Sequence, residues 1–261
     1  SKRSGQISFK IIVDHPKVIN GYRGKQNDAI ERFFAGCLSP NDFLGLIGFI
    51  ISFFEFRRGR ALGYCAHLWA RLILFFSGIN YSVRGLHHLE SNKSYIFAGN
   101  HASEIDILLA FAGLPFWIVS IAKIELRSIP VLGWVMRAAG HIFVDRNRKS
   151  QSIESLKMAK ESLINMPRSV LLFPEGTRTK NGLLNQFKRG GLLLGIEANI
   201  PIVPIAFINT FAMVDKNSLT LRNHSIELRI GKPIINDHND YESKRGIANH
   251  VQKEVQYLID N

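Results

Sequence analysis

The sequence predicts an α/β domain with a largely parallel central sheet flanked by helices, preceded by an apolar two-helix segment. Three observations carry that reading. From residue 80 onward, short apolar runs of strand length alternate with amphipathic helical stretches. The runs are nearly continuous in apolar residues, the pattern of strands covered on both faces. Ahead of them, nine of the 18 phenylalanines crowd between Phe33 and Phe76, an apolar load distinct from the rest. Apolar residues make up 46% and charged residues 21% of the 261, which supports a packed core and excludes disorder, collagen and a pure coiled coil.

Three segments follow in order. Residues 1–40 are polar and basic with scattered apolar positions, and no function can be read from them. Residues 41–79 hold two apolar runs. Phe43–Phe54 carries no charge and ends at Glu55 and the cluster Arg57, Arg58, Arg60, but it falls short of the roughly 20 residues a spanning helix needs. Ala61–Ile79 is longer and includes His67 and Arg71. Read as helices, the first has a small-to-polar stripe, Gly45, Gly48, Ser52 and Glu55. The second has a narrow polar stripe, Arg60, Tyr64, His67 and Arg71, opposite Leu68, Leu72 and Phe76. Such helices can pair through the small stripe, present Phe, Leu and Ile to lipid, and hold the arginines at headgroup level. The competing reading is a buried helical hairpin inside a soluble domain.

Residues 80–261 form the α/β domain. Strands are expected at Tyr95–Ala98, Phe116–Ile121, His141–Val144, Val170–Phe173, Ile202–Ile208 and Ile226–Ile230. Helices are expected at Glu104–Ala112, Pro130–Ala139, Ser152–Asn165 and Gly190–Glu197. A terminal helix, Tyr241–Ile259, repeats apolar residues at Ile247, Val251, Val255 and Leu258.

Lys and Arg outnumber Asp and Glu by 33 to 21, a net charge of +12. That surplus calls for an anionic partner: nucleic acid, an anionic membrane or a phosphorylated substrate. Nucleic acid is disfavoured, because no aromatic-interleaved basic stripe or groove-reading motif is present. Two cysteines, Cys37 and Cys65, can neither build a disulfide framework nor fill a four-ligand zinc site, and reduced thiols in a cytoplasmic setting are expected. No secretory signal is expected either, since no apolar run follows Lys2 and Arg3.

The first chemical constellation is Asn100-His101-Ala102-Ser103-Glu104-Ile105-Asp106, just after a strand. Positions five apart on a helix are about 140° apart, so His101 and Asp106 cannot meet in mid-helix. Ser103, with an acidic residue three positions later, is a good N-cap. The helix is then expected to start there, leaving His101 in a loop from which its imidazole folds back toward Asp106. The result is a base and its orienting carboxylate. The alternative is a capped helix start beside a satisfied loop histidine. The adjacent His87 and His88 lack companion ligands and are read as structural.

The second constellation, Phe173-Pro174-Glu175-Gly176-Thr177-Arg178, follows the strand Val170–Phe173, and ligands of α/β sheets bind outside the carboxyl ends of strands. Arg178 suits a bidentate phosphate clamp, while Glu175 suits a hydroxyl acceptor or a brace for Arg178; an ordinary turn with a surface ion pair is the alternative. Gly140-His141-Ile142-Phe143-Val144-Asp145-Arg146 ends another strand. Phe187-Lys188-Arg189-Gly190-Gly191 sets two cations at a helix start, where backbone amides also favour anions. Lys123, in Ala122-Lys123-Ile124-Glu125-Leu126, is a further cation, equally readable as a surface lysine.

Taken in order, these segments resemble the glycerolipid acyltransferases, specifically the 1-acylglycerol-3-phosphate (lysophosphatidic acid) acyltransferase family. Asn100–Asp106 looks like the family's His-x4-Asp block and Gly140–Arg146 like its second. Phe173–Arg178 matches the Glu-Gly-Thr-Arg block, and Ile202-Val203-Pro204-Ile205-Ala206 the fourth. The resemblance covers about residues 80–235. Members often carry an aromatic residue where this chain has Glu104, a departure that touches acceptor or acyl-chain preference more than the chemistry. The two-helix apolar segment also resembles the membrane-anchoring hairpin of bacterial members.

The resemblance implies a glycerolipid-acyltransferase-like fold and acyl transfer from acyl-CoA or acyl-ACP to the sn-2 hydroxyl of a lysophospholipid, giving phosphatidic acid. His101 would be the general base and Asp106 its support. Glu175, Gly176, Thr177 and Arg178 would bind the acceptor, with Arg146, Lys188 and Lys123 as further phosphate contacts. Backbone amides near His101 are candidate oxyanion donors. No metal or cofactor is expected beyond the thioester co-substrate, and no covalent acyl-enzyme, since there is no Gly-x-Ser-x-Gly elbow. Expected partners are the lysophospholipid, an acyl thioester, an anionic membrane and acyl carrier protein, at the cytoplasmic face of the inner (cell) membrane. Alternatives are the same chemistry on another acceptor, such as a lyso-aminolipid, and a non-catalytic lipid-binding module.

Overall fold

The computed structural model describes residues 59–129, 132–145, 149–213, 225–235 and 241–261. The elements run α1 (Arg60–Phe76), β1 (Tyr81–Arg84), β2 (Ile96–Gly99), α2 (Ile105–Gly113), β3 (Ile118–Lys123), α3 (Leu132–Ala138), β4 (Ile142–Val144) and α4 (Lys149–Asn165). Then come β5 (Ser169–Leu172), α5 (Arg189–Glu197), β6 (Ile202–Ile208), α6 (Thr210–Met213), β7 (Ile226–Ile230) and α7 (Tyr241–Asp260).

The strands form one seven-stranded sheet in the order β1-β7-β6-β2-β5-β3-β4. Five of its six pairings are parallel, and β6 with β7 is antiparallel. The expected largely parallel sheet is therefore present. Strand alternation divides the core between the two faces. Phe97, Leu171, Val203, Ile205 and Phe207 join Leu108 and Leu109 of α2 and Leu74 of α1 on one face. Ile96, Ala98, Val170, Leu172 and Ile202 join Leu163 of α4, Leu192 of α5 and Val251 of α7 on the other. Every residue of β2 and β5 is buried, which is why their sequences are apolar without alternation.

β1 is the strand the sequence analysis does not anticipate. Its four residues alternate between half-buried and exposed at the sheet edge, where it pairs with β7 in the register Tyr81↔Ile226. Two apolar side chains in four are too few to stand out as a run.

Residues 1–58, with Cys37, the run Phe43–Phe54 and Arg57 and Arg58, lie outside the described residues, so the expected hairpin is represented by its second helix alone. That helix, α1, divides its polar stripe. The imidazole of His67 faces the carbonyl oxygens of Phe111 and Phe116, the latter at 2.7 Å, and Arg71 Nε donates to Ala112 O at 3.1 Å. These carbonyls lie at the C-terminal end of α2 or just beyond it, where helical oxygens lack partners and cationic donors are favoured. Gly63 lets α1 approach closely, since a Cβ there would lie 2.7 Å from Trp117 Cδ1. Tyr64, Leu68, Phe75 and Phe76 remain exposed. Among the described residues, no helix is long and apolar enough to cross a membrane.

Candidate active site

The carboxyl ends of β2, β5 and β6, three adjacent strands, build the site. Immediately after β2, Asn100 ties its loop to β6: its Nδ2 donates to Phe207 O at 3.0 Å, and Phe207 N–H donates to its Oδ1 at 2.8 Å. His101 follows. Its N–H donates to Glu175 Oε1 at 2.6 Å, and its carbonyl accepts from Thr179 N–H at 2.8 Å. Phe173 stacks on the imidazole with ring centroids 3.9 Å apart and planes 17° from parallel. The histidine is thus fixed in backbone and ring plane before any substrate arrives.

Asp106 lies in the first turn of α2 and is fully buried. Its Oδ2 accepts from Ala102 N–H at 2.6 Å and Ser103 N–H at 2.8 Å, and lies 2.9 Å from His101 Nδ1. Ser103 N–H reaches that carboxylate and Ser103 Oγ accepts from Ile105 N–H at 3.3 Å, but Ser103 is not the helix cap it was expected to be: Glu104 is the N-cap and makes no side-chain cap bond. Helical residues begin at Ile105, two positions after Ser103. Because a carboxylate only accepts, the ring carries its proton on Nδ1 and keeps its lone pair on Nε2. With 16% of its side chain exposed, His101 is the part of this pair that solvent reaches.

Glu175 is buried and both its oxygens are engaged: Oε1 by His101 N–H, and Oε2 by Asn185 through its N–H at 3.0 Å and Nδ2 at 2.6 Å. The carboxylate therefore braces His101 and faces the protein. Nor does it brace Arg178, whose ion-pair partner among the described residues is Glu104. The backbone amides of His101, Ala102 and Ser103 are likewise consumed by Glu175 and Asp106, which removes them as free oxyanion donors.

Gly176 has φ +79°, which favours glycine, and a Cβ there would come within 3.2 Å of Lys188 Nζ. Lys188 is held in place by its N–H, which donates to Pro174 O at 3.0 Å. Thr177 is exposed, as is Arg178, whose guanidinium burial nonetheless depresses its pKa below the usual arginine value. Lys123 closes β3 and is exposed; among the described residues it has no hydrogen bond or ion pair to the His101 cluster. Arg146 lies outside the described residues. The structure thus gathers His101, Asp106 and Glu175 into one bonded cluster and sets Gly176, Arg178 and Lys188 around the adjoining turn.

Sequence reasoning did not find Asn185, Phe173 or the pairing role of Glu104. Asn185 sits ten residues past Glu175 in an irregular segment, where no periodicity points to it. Phe173 reads as the last apolar residue of a strand.

Residues 80–208 match the family model described as Acyltransferase. A 1-acyl-sn-glycerol-3-phosphate acyltransferase of Limnanthes douglasii is 31% identical over 193 residues, 74% of this chain and 68% of the relative. The chain belongs to the 1-acyl-sn-glycerol-3-phosphate acyltransferase family. The relative of that name from Cocos nucifera is 33% identical over 77% of this chain, and the human alpha form 34% over 62%. The matched parts span 63% and 57% of those two relatives' own lengths. Among solved structures, the 1-acyl-sn-glycerophosphate (LPA) acyltransferase PlsC from Thermotoga maritima shares the fold. It has a TM-score of 0.70 at 23% identity and covers 88% of this chain and 92% of that one. Family and fold thus agree with the resemblance carried by the four blocks.

Proposed function

We propose that this chain transfers an acyl group from acyl-CoA or acyl-ACP to the sn-2 hydroxyl of 1-acyl-glycerol-3-phosphate, forming phosphatidic acid. Family membership supports the reaction class. The observation that carries the mechanism is a histidine, partly open to solvent, whose Nδ1 lies 2.9 Å from a buried carboxylate, which leaves Nε2 as the ring's lone-pair atom.

In this mechanism His101 Nε2 takes the hydroxyl proton as the oxygen attacks the thioester carbonyl. The tetrahedral intermediate collapses, the C–S bond breaks, and the imidazolium returns the proton to the leaving thiolate. Asp106 supports the imidazolium in between, and base catalysis of this kind contributes about 10²–10⁴-fold. Positioning supplies further acceleration. Arg178 and Lys188 receive the acceptor's phosphate, and no metal or cofactor takes part beyond the co-substrate. The exposed Tyr64, Leu68, Phe75 and Phe76 of α1, together with the net charge of +12, support work at an anionic membrane surface, on its cytoplasmic face.

The test supplies detergent-purified protein with labelled lysophosphatidic acid and the palmitoyl thioesters of both carriers. Phosphatidic acid is expected from the wild type, and about 10²-fold less or lower from a folded His101→Ala variant. Wild-type turnover that survives in His101→Ala would overturn the mechanism, and failure with both donors would overturn the substrate assignment.

A further inference from the structure

The cation expected to grip a phosphate is already held by a carboxylate of the same chain. Arg178 forms an ion pair with Glu104, the residue in the turn between His101 and Asp106. We infer that Glu104 is an internal occupant of the headgroup anion site, which the acceptor's phosphate must displace from Arg178 before acylation. The inference rests on the acyl-transfer reading for its substrate, but the competition itself is a property of the site.

Geometry and charge support an exchange rather than a permanent bridge. About half of the Arg178 side chain is solvent-exposed, against 23% for Glu104, so the guanidinium can be reached without unfolding anything. A half-exposed ion pair of this kind is worth on the order of 1 kcal/mol or less, a cost that ligand contacts can exceed. A phosphomonoester carries about −1.5 to −2 charges at neutral pH, more than the carboxylate it replaces. It also finds a second cation, since Lys188 Nζ lies over Gly176 and has no ion-pair partner among the described residues. The displaced carboxylate keeps a favourable place, because Glu104 immediately precedes α2 and acidic side chains are stabilised at helix N-termini. Glu104 is thus a positioning residue that sets acceptor affinity through Arg178.

Glu104→Gln removes the competing charge while keeping the shape, and Glu104→Ser does so with a different side chain. With the wild type, Glu104→Gln, Arg178→Gln and the double variant, the measured quantities are KM and kcat for lysophosphatidic acid. The affinity for inorganic phosphate, followed by titration calorimetry, is measured alongside. Glu104→Gln and Glu104→Ser are expected to lower KM about two- to fivefold, with the change in KM rather than kcat, and to tighten phosphate binding by a similar factor. In the Arg178→Gln background the same substitution should have no effect. A KM and a phosphate affinity that stay unchanged or worsen in Glu104→Gln would overturn the inference, as would a gain that persists without Arg178. Tighter phosphate binding with no acylation of any acceptor would keep the occupant and remove the acyl-transfer reading. Acylation with no gain in either measure would do the reverse.

Discussion

Two histidines at opposite ends of parallel strands are wired in opposite ways. His101 follows β2, and its Nδ1 faces a carboxylate oxygen at 2.9 Å, so Nδ1 carries the proton and Nε2 the lone pair. His141 precedes β4, and its Nδ1 receives Ser120 N–H at 3.1 Å, so the same atom must hold a lone pair. A buried carboxylate faces the first ring. Burial, and secondarily the guanidinium of Arg168, push the pKa of the second down to about 4. The first ring has a carboxylate beside it, and the second is buried with a guanidinium near it. A histidine within a family block is therefore not by itself a candidate base; its partner decides.

The comparison breaks most sharply at the carboxylate. Asp106→Asn should cut kcat by about 10²–10⁴-fold, because a neutral amide oxygen beside Nδ1 supports the imidazolium far more poorly than a carboxylate. The amide oxygen can still accept from Ala102 and Ser103, so the variant should fold, which its thermal transition will check. A folded Asp106→Asn with near wild-type kcat would reduce the pair to a helix cap. Glu175→Gln should act next most strongly, and through structure. Its amide nitrogen would face either His101 N–H or the two donors of Asn185, and a donor left unpaired in a buried site costs about 1–3 kcal/mol. Urea unfolding should register that loss together with a fall in kcat, as the backbone of His101 relaxes. Unchanged stability would show that Glu175 does not brace the loop.

How much of this could be read beforehand follows the range of the interactions. Six of the seven strands announce themselves as apolar runs because they are buried on both faces or packed against a helix layer; β1, half-exposed at the edge, does not. The fold-back of His101 onto Asp106 was legible because both residues and the intervening Ser103 lie within six positions, so local stereochemistry decides it. The engagement of Glu175 with His101 spans 74 residues, and that of Arg178 with Glu104 also joins separate loops. Such pairings depend on which strands become neighbours, here β2 and β5, and strand order is not written in any short segment. For the same reason α1 could be recognised as amphipathic while the destination of His67 and Arg71 at the end of α2 could not.

The smallest expected effect concerns the second histidine and is read in stability rather than turnover. Unfolded, His141 titrates near 6.5; folded, it does so at about 4. Above pH 6.5 the ring is neutral in both states and titration contributes no pH dependence. Between the two values the unfolded chain binds the proton and the native chain does not, so stability falls as pH falls. One such group contributes a slope approaching about 1.4 kcal/mol per pH unit, which levels off below the folded value. Arg168 sharpens the effect, because its guanidinium is fixed beside this turn by donating to Gly140 O at 3.0 Å from one nitrogen and 3.3 Å from another, and cannot swing away from a charged ring. Urea unfolding of the wild type and His141→Gln between pH 4.5 and 7.5 isolates the term, since other groups contribute to both curves. The variant should be less stable at pH 7.5, where it lacks the acceptor for Ser120 N–H, and the gap should narrow toward pH 4.5. Parallel curves would mean that the ring accepts its proton in the native state, and the contrast between the two histidines would then lose its electrostatic basis.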